Sequence, residues 1–355
     1  MAYERPNIAA MTGYVPGEQP ASTDVVKLNT NENPYPPCDA VMDALRSVTP
    51  EQLRRYPNPT ARAFREAAAE VHGVTPDHII ATNGGDELLR LVITTFVEPK
   101  GVIGYAQPSY SLYPVLAAVQ DAKVYRVPLD ESWCPPDDFV QQLKQVDAQL
   151  TFIVNSHAPS GRLLPVDHLR ELANELPGVL VIDEAYVDFV DPDLHHDAVA
   201  LIREGVDNAI LLRSLSKGYS LAGLRFGYGI ASPGLIAPMQ TKTKDSYNTD
   251  AVSQAVATAS MLSRNKATET WAKVRAERQR VSDALGQLGM AVEPSQSNFV
   301  LAAPGNGNAK SIYESLKAKN IFVRYFDQPR LDDKLRITIG TPAENDALLA
   351  ALKQM

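Results

Sequence analysis

The chain has 355 residues, with 34 lysines and arginines against 42 aspartates and glutamates, a net charge of −8. Hydrophobic residues make up 45% and charged residues 21%, the composition of a soluble globular protein long enough for two domains. The acidic balance without a Lys/Arg block argues against nucleic acid or an anionic membrane as partner, and the two cysteines, Cys38 and Cys134, make neither a disulfide framework nor a metal-ligand spacing.

The first residues, Met1 to Pro6, lack the apolar stretch of a signal peptide, and no run approaches the ~20 apolar residues of a membrane helix. The expectation is a cytoplasmic protein. Residues 1–37 are rich in Pro, Gly and Asn and read as an extended arm, with Tyr14 and the stretch Asn29–Pro34 placed to cover something. Helical spacing begins at Asp39 (Val41, Met42, Leu45, Val48) and breaks at Tyr56-Pro57-Asn58-Pro59.

Short apolar runs then alternate with amphipathic stretches. The runs are Ile79–Ala81, Val102–Gly104, Val124–Val127, Thr151–Val154, Val179–Ile182, Ala209–Leu212 and Phe226–Ile230; stretches such as Asp86–Val97 and Val166–Leu176 read as helices. Strands apolar on both faces and separated by helices predict an α/β fold, with a mainly parallel sheet covered on both sides. One long helical region from about Asp250 to Leu288 would lead into a smaller α/β unit. Its elements are strands at Asn298–Leu301, Ile321–Arg324 and Leu335–Ile339, and a helix near Ala309–Lys319. The expected division is an arm over 1–37, packing near the small unit, a large domain over 38–250, and a linking helix with a small domain over 251–355.

Ligands of open α/β sheets bind at the carboxyl ends of strands, where the polar residues of interest fall. Asn83-Gly84-Gly85-Asp86 follows the first run and opens a helix, whose free N–H groups suit an anion, although a plain turn and cap fits too. Asp183 ends the fifth run, where a buried carboxylate needs a partner such as a protonated pyridine nitrogen. Tyr186 follows it, and Tyr110 follows the second run. Lys217 comes after the sixth run, with Ser214 and Ser216 before it and Arg225 eight residues on. Hydroxyls and a guanidinium suit phosphate oxygens, and an amine withdrawn from water can condense with an aldehyde. Pyridoxal 5′-phosphate carries both groups. No Gly-x-Gly-x-x-Gly follows a strand and no Walker loop is present, His195-His196 lacks matching carboxylates, and no metal site is expected.

These residues, with Leu335-Arg336-Ile337-Thr338-Ile339-Gly340, resemble those of the PLP-dependent aminotransferases, fold type I, in order over nearly the whole chain. Asn31-Glu32-Asn33-Pro34 and Arg55-Tyr56-Pro57 make the chain most similar, within that family, to the histidinol-phosphate aminotransferases. The resemblance implies a large domain with a seven-stranded sheet and pyridoxal phosphate on Lys217, which shuttles a proton between substrate Cα and cofactor C4′. It implies Asp183 at the pyridine nitrogen, Tyr186 at the phenolic oxygen and Tyr110 over the ring. Ser214, Ser216, Arg225 and the backbone of Gly85-Asp86 would take the phosphate. Tyr56 would reach the other subunit's cofactor, making a homodimer with shared sites. Arg336 and Arg324 would bind the anionic end of the substrate, with Tyr14 and Asn33 completing the substrate side.

The implied reaction moves an amino group from histidinol phosphate to 2-oxoglutarate. Alternatives are an aromatic amino acid as donor, decarboxylation of a phosphorylated amino acid, and a non-catalytic PLP-binding regulator. One departure stands out. The family reads Asn-Pro-Thr-Gly after the central strand; this chain reads Ala158-Pro159-Ser160-Gly161, and alanine cannot donate to the phenolic oxygen. The loss predicts a raised pKa for the imine that Lys217 forms, unless Asn155 or His157 supplies the missing hydrogen bond.

Overall fold

A computed structural model of the chain describes residues 3–22, 24–305 and 307–355. Its strands, in chain order, are β1 (Val26–Lys27), β2 (Ile79–Thr82), β3 (Val102–Gln107), β4 (Lys123–Pro128), β5 (Ala148–Val154), β6 (Val179–Asp183), β7 (Ala209–Ser214) and β8 (Gly227–Ala231). There follow β9 (Met290–Val292), β10 (Phe299–Pro304), β11 (Ile321–Phe322), β12 (Arg324–Tyr325) and β13 (Leu335–Thr338). Each of the seven apolar runs becomes a strand of one sheet, ordered β2-β8-β7-β6-β5-β3-β4. β8 is antiparallel to β2 and β7, and the other pairs are parallel.

Successive side chains leave a strand on opposite faces, and both faces here are dry. Ile79, Ile182, Leu211 and Ile230 pack into the core on one side, beneath helices Arg62–His72, Val166–Glu175 and Ala251–Leu262. Ile80, Val181, Ile210 and Leu212 pack on the other side, beneath helices Gly84–Phe96 and Leu112–Val119. Ile210 and Leu211 are both 0% exposed, so truncating either to alanine would cost about 2–5 kcal/mol. The continuous apolar runs therefore encode a sheet sandwiched between two helical layers.

The C-terminal part forms an antiparallel sheet, β12-β13-β10-β9. Two details differ from the sequence reading. The helical region over 250–288 is two helices, Ala251–Leu262 and Arg264–Gln287, broken at Ser263. They serve different partners: the first packs on helices Asp39–Arg46 and Arg62–His72, the second on β9, β10 and helix Pro342–Leu352. The run Ile321–Arg324 is likewise two strands that part at Val323, because β11 pairs with β1 of the arm while β12 pairs with β13. The arm spans both parts. Arg5 and Asn7 donate to the carbonyls of Val119 (3.0 Å) and Ala118 (2.9 Å) at the end of helix Leu112–Val119, whereas Val26–Lys27 joins the C-terminal region.

Candidate active site

A cavity of about 610 Å³ opens at the carboxyl ends of the parallel strands, walled by the arm, the large sheet and the C-terminal region. Tyr14, Gly85, Asp86, Tyr110, Asp183, Tyr186, Ser214, Ser216, Lys217, Arg225, Arg324 and Arg336 all line it. Residues as distant in sequence as Tyr14 and Arg336 meet there because the sheets and the arm converge on the strand ends.

One end is built for an anion. Helix Gly84–Phe96 starts at Gly84, which adopts φ +75°; a Cβ there would lie 2.8 Å from Arg225 Nη2. Gly227 at the start of β8 approaches so closely that its Cβ would stand 2.7 Å from the carbonyl carbon of Gly84. Glycine at both positions lets the helix N-terminus and Arg225 close on one point. Arg225 donates to Ser216 Oγ (3.4 Å) and lies 3.5 Å from the Asp86 carboxylate, and the Ser216 N–H donates to Ser214 Oγ (3.1 Å).

Asp183 is 5% exposed and, among the described residues, has no cation paired with it. Its Oδ2 accepts from the Tyr113 hydroxyl (2.9 Å) and its Oδ1 from the Ala185 N–H (3.2 Å). Burial pushes its pKa up to about 6, against the pull of those two donors and with help from the charges of Asp86 and Glu184. Its neighbour Glu184 points to the other face. There it accepts from His196 Nε2 (2.8 Å), and Arg213 lies 2.7 Å away as an ion pair without hydrogen-bond alignment.

Lys217 Nζ donates to the Thr30 carbonyl at 2.8 Å and stands 5.9 Å from the Tyr186 ring centroid. Burial first, then the positive charges of Arg336, Arg225 and Lys27, bring its pKa down to about 8, with Glu32 opposing. Such an amine is partly neutral near physiological pH and can act as nucleophile and base. Tyr110 donates to Asp86 Oδ1 (3.3 Å) and meets Tyr14 edge-on at 5.9 Å.

The remaining wall is cationic. Arg336 donates through Nη2 to the Asn29 carbonyl (2.9 Å), while its Nε is buried without a partner among the described residues. Its guanidinium stacks between Phe299 (5.3 Å) and Phe326 (5.5 Å), and Arg324 lies over the same Phe326 (5.1 Å). The guanidinium as a whole still borders the cavity, where together with Arg324 it makes the wall suited to an anionic ligand.

Two expected site residues do not reach this cavity. Asn33 is spent on the backbone after the lysine: Nδ2 donates to the Gly218 carbonyl (3.1 Å) and Thr270 Oγ1 (3.2 Å), while Oδ1 accepts from the Tyr35 N–H (3.1 Å). In this structure its side chain braces the Lys217–Gly218 turn rather than lining the cavity. Tyr56 is 81% exposed and stacks on Tyr247 at 4.5 Å on the outer surface. Ala158 does line the cavity. Neither candidate substitute for its missing donor lines the cavity, and both make hydrogen bonds elsewhere. Asn155 exchanges hydrogen bonds with Leu164 (2.7 and 3.2 Å), and His157 is held by Ser160 Oγ and the Pro108 carbonyl (both 2.8 Å).

The structure adds Tyr113, Phe326 and Asn31, which local pattern did not single out. Tyr113, 0% exposed and stacked on Phe152 at 4.3 Å, carries the hydroxyl that holds Asp183. Its sequence signal was slight: a second tyrosine three residues after Tyr110. Phe326 lies in a loop without periodicity, and Asn31 was one asparagine among several.

A helix-sheet-helix fold with a buried lysine, a buried carboxylate and an anion cradle at the strand ends defines a class of group-transfer enzyme. Residues 23–352 match the family "Aminotransferase class I and II", and the chain belongs to that family. It is 47% identical to histidinol-phosphate aminotransferase 1 of Trichormus variabilis over 99% of each chain, and 41% identical to the histidinol-phosphate aminotransferase of Geotalea daltonii, again over 99% of each. Among solved structures it is similar to the histidinol-phosphate aminotransferase of Sinorhizobium meliloti in complex with pyridoxal-5′-phosphate, with TM-score 0.90 and 25% identity, covering 100% of this chain and 97% of that one.

Proposed function

We propose that this enzyme transfers the amino group of histidinol phosphate to 2-oxoglutarate with pyridoxal phosphate as cofactor, a step of histidine biosynthesis. The observation that carries the reading is the pairing, in one cavity, of a partly neutral buried lysine with a buried carboxylate that lacks a cation. The full-length likeness to histidinol-phosphate aminotransferases and the two arginines on the cavity wall, Arg336 and Arg324, support a phosphorylated donor.

The residues fit the cofactor. Ser214, Ser216, Arg225 and the N–H groups at Gly85-Asp86 would hold its phosphate, Asp183 its ring nitrogen, Tyr186 its phenolic oxygen and Tyr110 a face of the ring. When bound, the cofactor supplies an aldehyde that accepts the amino group and a ring that draws electrons from the adjoining carbon. Asp183 would favour a proton on the ring nitrogen, because its buried carboxylate gains from a cationic partner. Lys217 Nζ would be the base that takes the proton from the substrate Cα and the acid that returns it on the cofactor side. Tyr14 closes the cavity against water, and Arg336 with Arg324 binds the donor's phosphate and then a carboxylate of the acceptor.

The test is the visible spectrum of protein loaded with pyridoxal phosphate, followed by histidinol phosphate, phenylalanine and glutamate in turn. Conversion to the aminated cofactor with histidinol phosphate and with glutamate supports the assignment. Conversion with phenylalanine but not histidinol phosphate moves it to an aromatic donor, for which the walls of Tyr14, Tyr110 and Phe326 would be the reason. Arg336→Lys should raise KM for histidinol phosphate by roughly 10- to 100-fold with a smaller change in kcat, because lysine keeps the charge but loses the planar pair of donors. An unchanged KM would remove Arg336 from the anion site.

The same reading makes the protein a cytoplasmic homodimer, divided near residues 37 and 250, with each Tyr56 serving its partner's cofactor. The exposed Tyr56–Tyr247 stack supports this, because so large an aromatic surface gains from being covered. Mixing inactive Tyr56→Ala and Lys217→Ala chains under conditions of subunit exchange should restore about a quarter of wild-type activity, since half the dimers then carry one intact site. If each tyrosine served its own chain, mixing would restore nothing.

A further inference from the structure

We propose that Asn31 is a positioning residue: by donating to the Tyr186 oxygen, it turns the tyrosine's own hydroxyl proton into the cavity, toward the ring oxygen of bound pyridoxal phosphate. The inference rests on the cofactor reading above and concerns a residue of the arm, outside the strand-end motifs.

Asn31 is 1% exposed, sits in the left-handed region at φ +57°, and has each of its polar groups engaged. Its N–H donates to Thr338 Oγ1 (3.0 Å), its carbonyl accepts from Asn298 Nδ2 (2.9 Å), its Oδ1 accepts from Thr338 Oγ1 (3.0 Å), and its Nδ2 donates to Tyr186 Oη (3.1 Å).

The network fixes the direction of every proton in it. Thr338 has one hydroxyl proton and already accepts from the Asn31 N–H, so that proton goes to Asn31 Oδ1. This orients the amide with its NH₂ toward Tyr186. A flipped amide would leave the Thr338 proton without an acceptor among the described residues and would present oxygen to Tyr186, which would then spend its proton on Asn31. In the observed arrangement Tyr186 Oη receives a proton from Asn31 and keeps its own for the cavity. The arrangement matters more here than on a wall with two donors. Ala158 offers none, and Asn155 and His157 are committed elsewhere. Tyr186 is left as the donor on that side, with its direction set by the arm and by β13.

A donor on the ring oxygen stabilises the negative charge there and competes with the imine proton that otherwise shares it. Turning the donor away therefore raises the pH midpoint of the bound cofactor's visible absorbance. The charges facing Tyr186 are Arg336 and Asp183, with Tyr14 also facing it, and those around Lys217 are Arg336, Arg225, Lys27 and Glu32. All stay in place in the following experiment.

Asn31→Asp presents only acceptors to Tyr186 and reverses the hydrogen bond, but it also adds a charge. The midpoint is therefore titrated spectrophotometrically in four loaded proteins: wild type, Asn31→Asp, Tyr186→Phe and the double variant. The proposal expects Asn31→Asp to raise the midpoint by about one pH unit with Tyr186 present, and by markedly less in the Tyr186→Phe background, the difference being one hydrogen bond to a charged oxygen. Equal shifts in the two backgrounds would reduce Asn31 to a charge effect and overturn the proposal, as would no shift at all. If Asn31→Asp does not fold, Thr338→Val, which frees the amide to flip, should give a smaller upward shift that is again absent in the Tyr186→Phe background. Wild-type protein that develops no visible band with pyridoxal phosphate would instead overturn the cofactor reading and this inference with it.

Discussion

Lys217→Ala should lower kcat/KM for transamination by about 10⁴-fold, the upper range for loss of a positioned general acid-base group. Among the described residues no other lysine lines the cavity, and Asp183 and Asp86 are tied to Tyr113 and Arg225. Stopped-flow absorbance with histidinol phosphate reads the effect; a variant within tenfold of wild type would refute the proton-transfer role. Stability should move the other way. A lysine whose pKa falls from 10.5 to about 8 on folding destabilises the native state below pH 8, by at most about 3 kcal/mol, so the cofactor-free variant should unfold at higher urea than the cofactor-free wild type at pH 7. The lost hydrogen bond to Thr30 offsets part of this gain. Activity lost with stability gained is the mark of a residue kept for chemistry.

Asp183→Asn should cut kcat/KM by about 10²–10⁴-fold, the equivalent of 3–5 kcal/mol for breaking a buried ion pair. Asparagine matches the volume and can still accept from Tyr113, so packing survives while the charge on the ring nitrogen's partner is lost. The cofactor-free protein offers a second readout. Because the folded pKa of Asp183 is raised from 3.8 to about 6, the native state binds more protons than the unfolded chain between those values. Stability attributable to this group is therefore present below pH 4 and lost as the pH rises through 6, by about 3 kcal/mol in all. Urea unfolding from pH 4 to 7 should show wild type losing stability relative to Asp183→Asn. Parallel curves would mean that Asp183 is not held in the buried, cation-free setting described. Added pyridoxal phosphate should flatten the wild-type curve, since a cationic partner lowers the carboxyl's pKa.

Much of the architecture was legible because it is written locally. Six of the seven apolar runs are buried on both faces, the edge strand β4 being the exception, and need no distant information to be read as strands of a covered sheet. The site residues that follow those strands were legible for the same reason: Asp183, Ser214, Ser216, Lys217 and Arg225 occupy the positions where such a sheet presents groups to a ligand. The break at Ser263 and the parting of β11 from β12 at Val323 were not legible. In both, the chain changes course to satisfy partners that lie far away in sequence, and the local pattern continues unbroken across the bend.

By itself the sequence determined that this protein is an α/β enzyme chain with an amine, a carboxylate and an anion cradle at its strand ends, since strand periodicity and residue type are local properties. It also determined that alanine, which cannot donate a hydrogen bond, stands at position 158. Only the tertiary structure decided how those groups are tuned and which neighbours hold them. Tyr113 reaches Asp183 across 70 positions, Asn31 reaches Tyr186 across 155, and Thr338 reaches Asn31 across 307. Hydrogen bonds of that reach leave no periodicity in the chain, because their geometry exists only after the sheets and the arm have packed. The same holds for Asn33, whose place in a motif suggested the substrate while packing gave it the turn beside Lys217. Desolvation, which moves Lys217 and Asp183 toward neutral pH, is likewise a property of the folded surroundings rather than of the residues themselves.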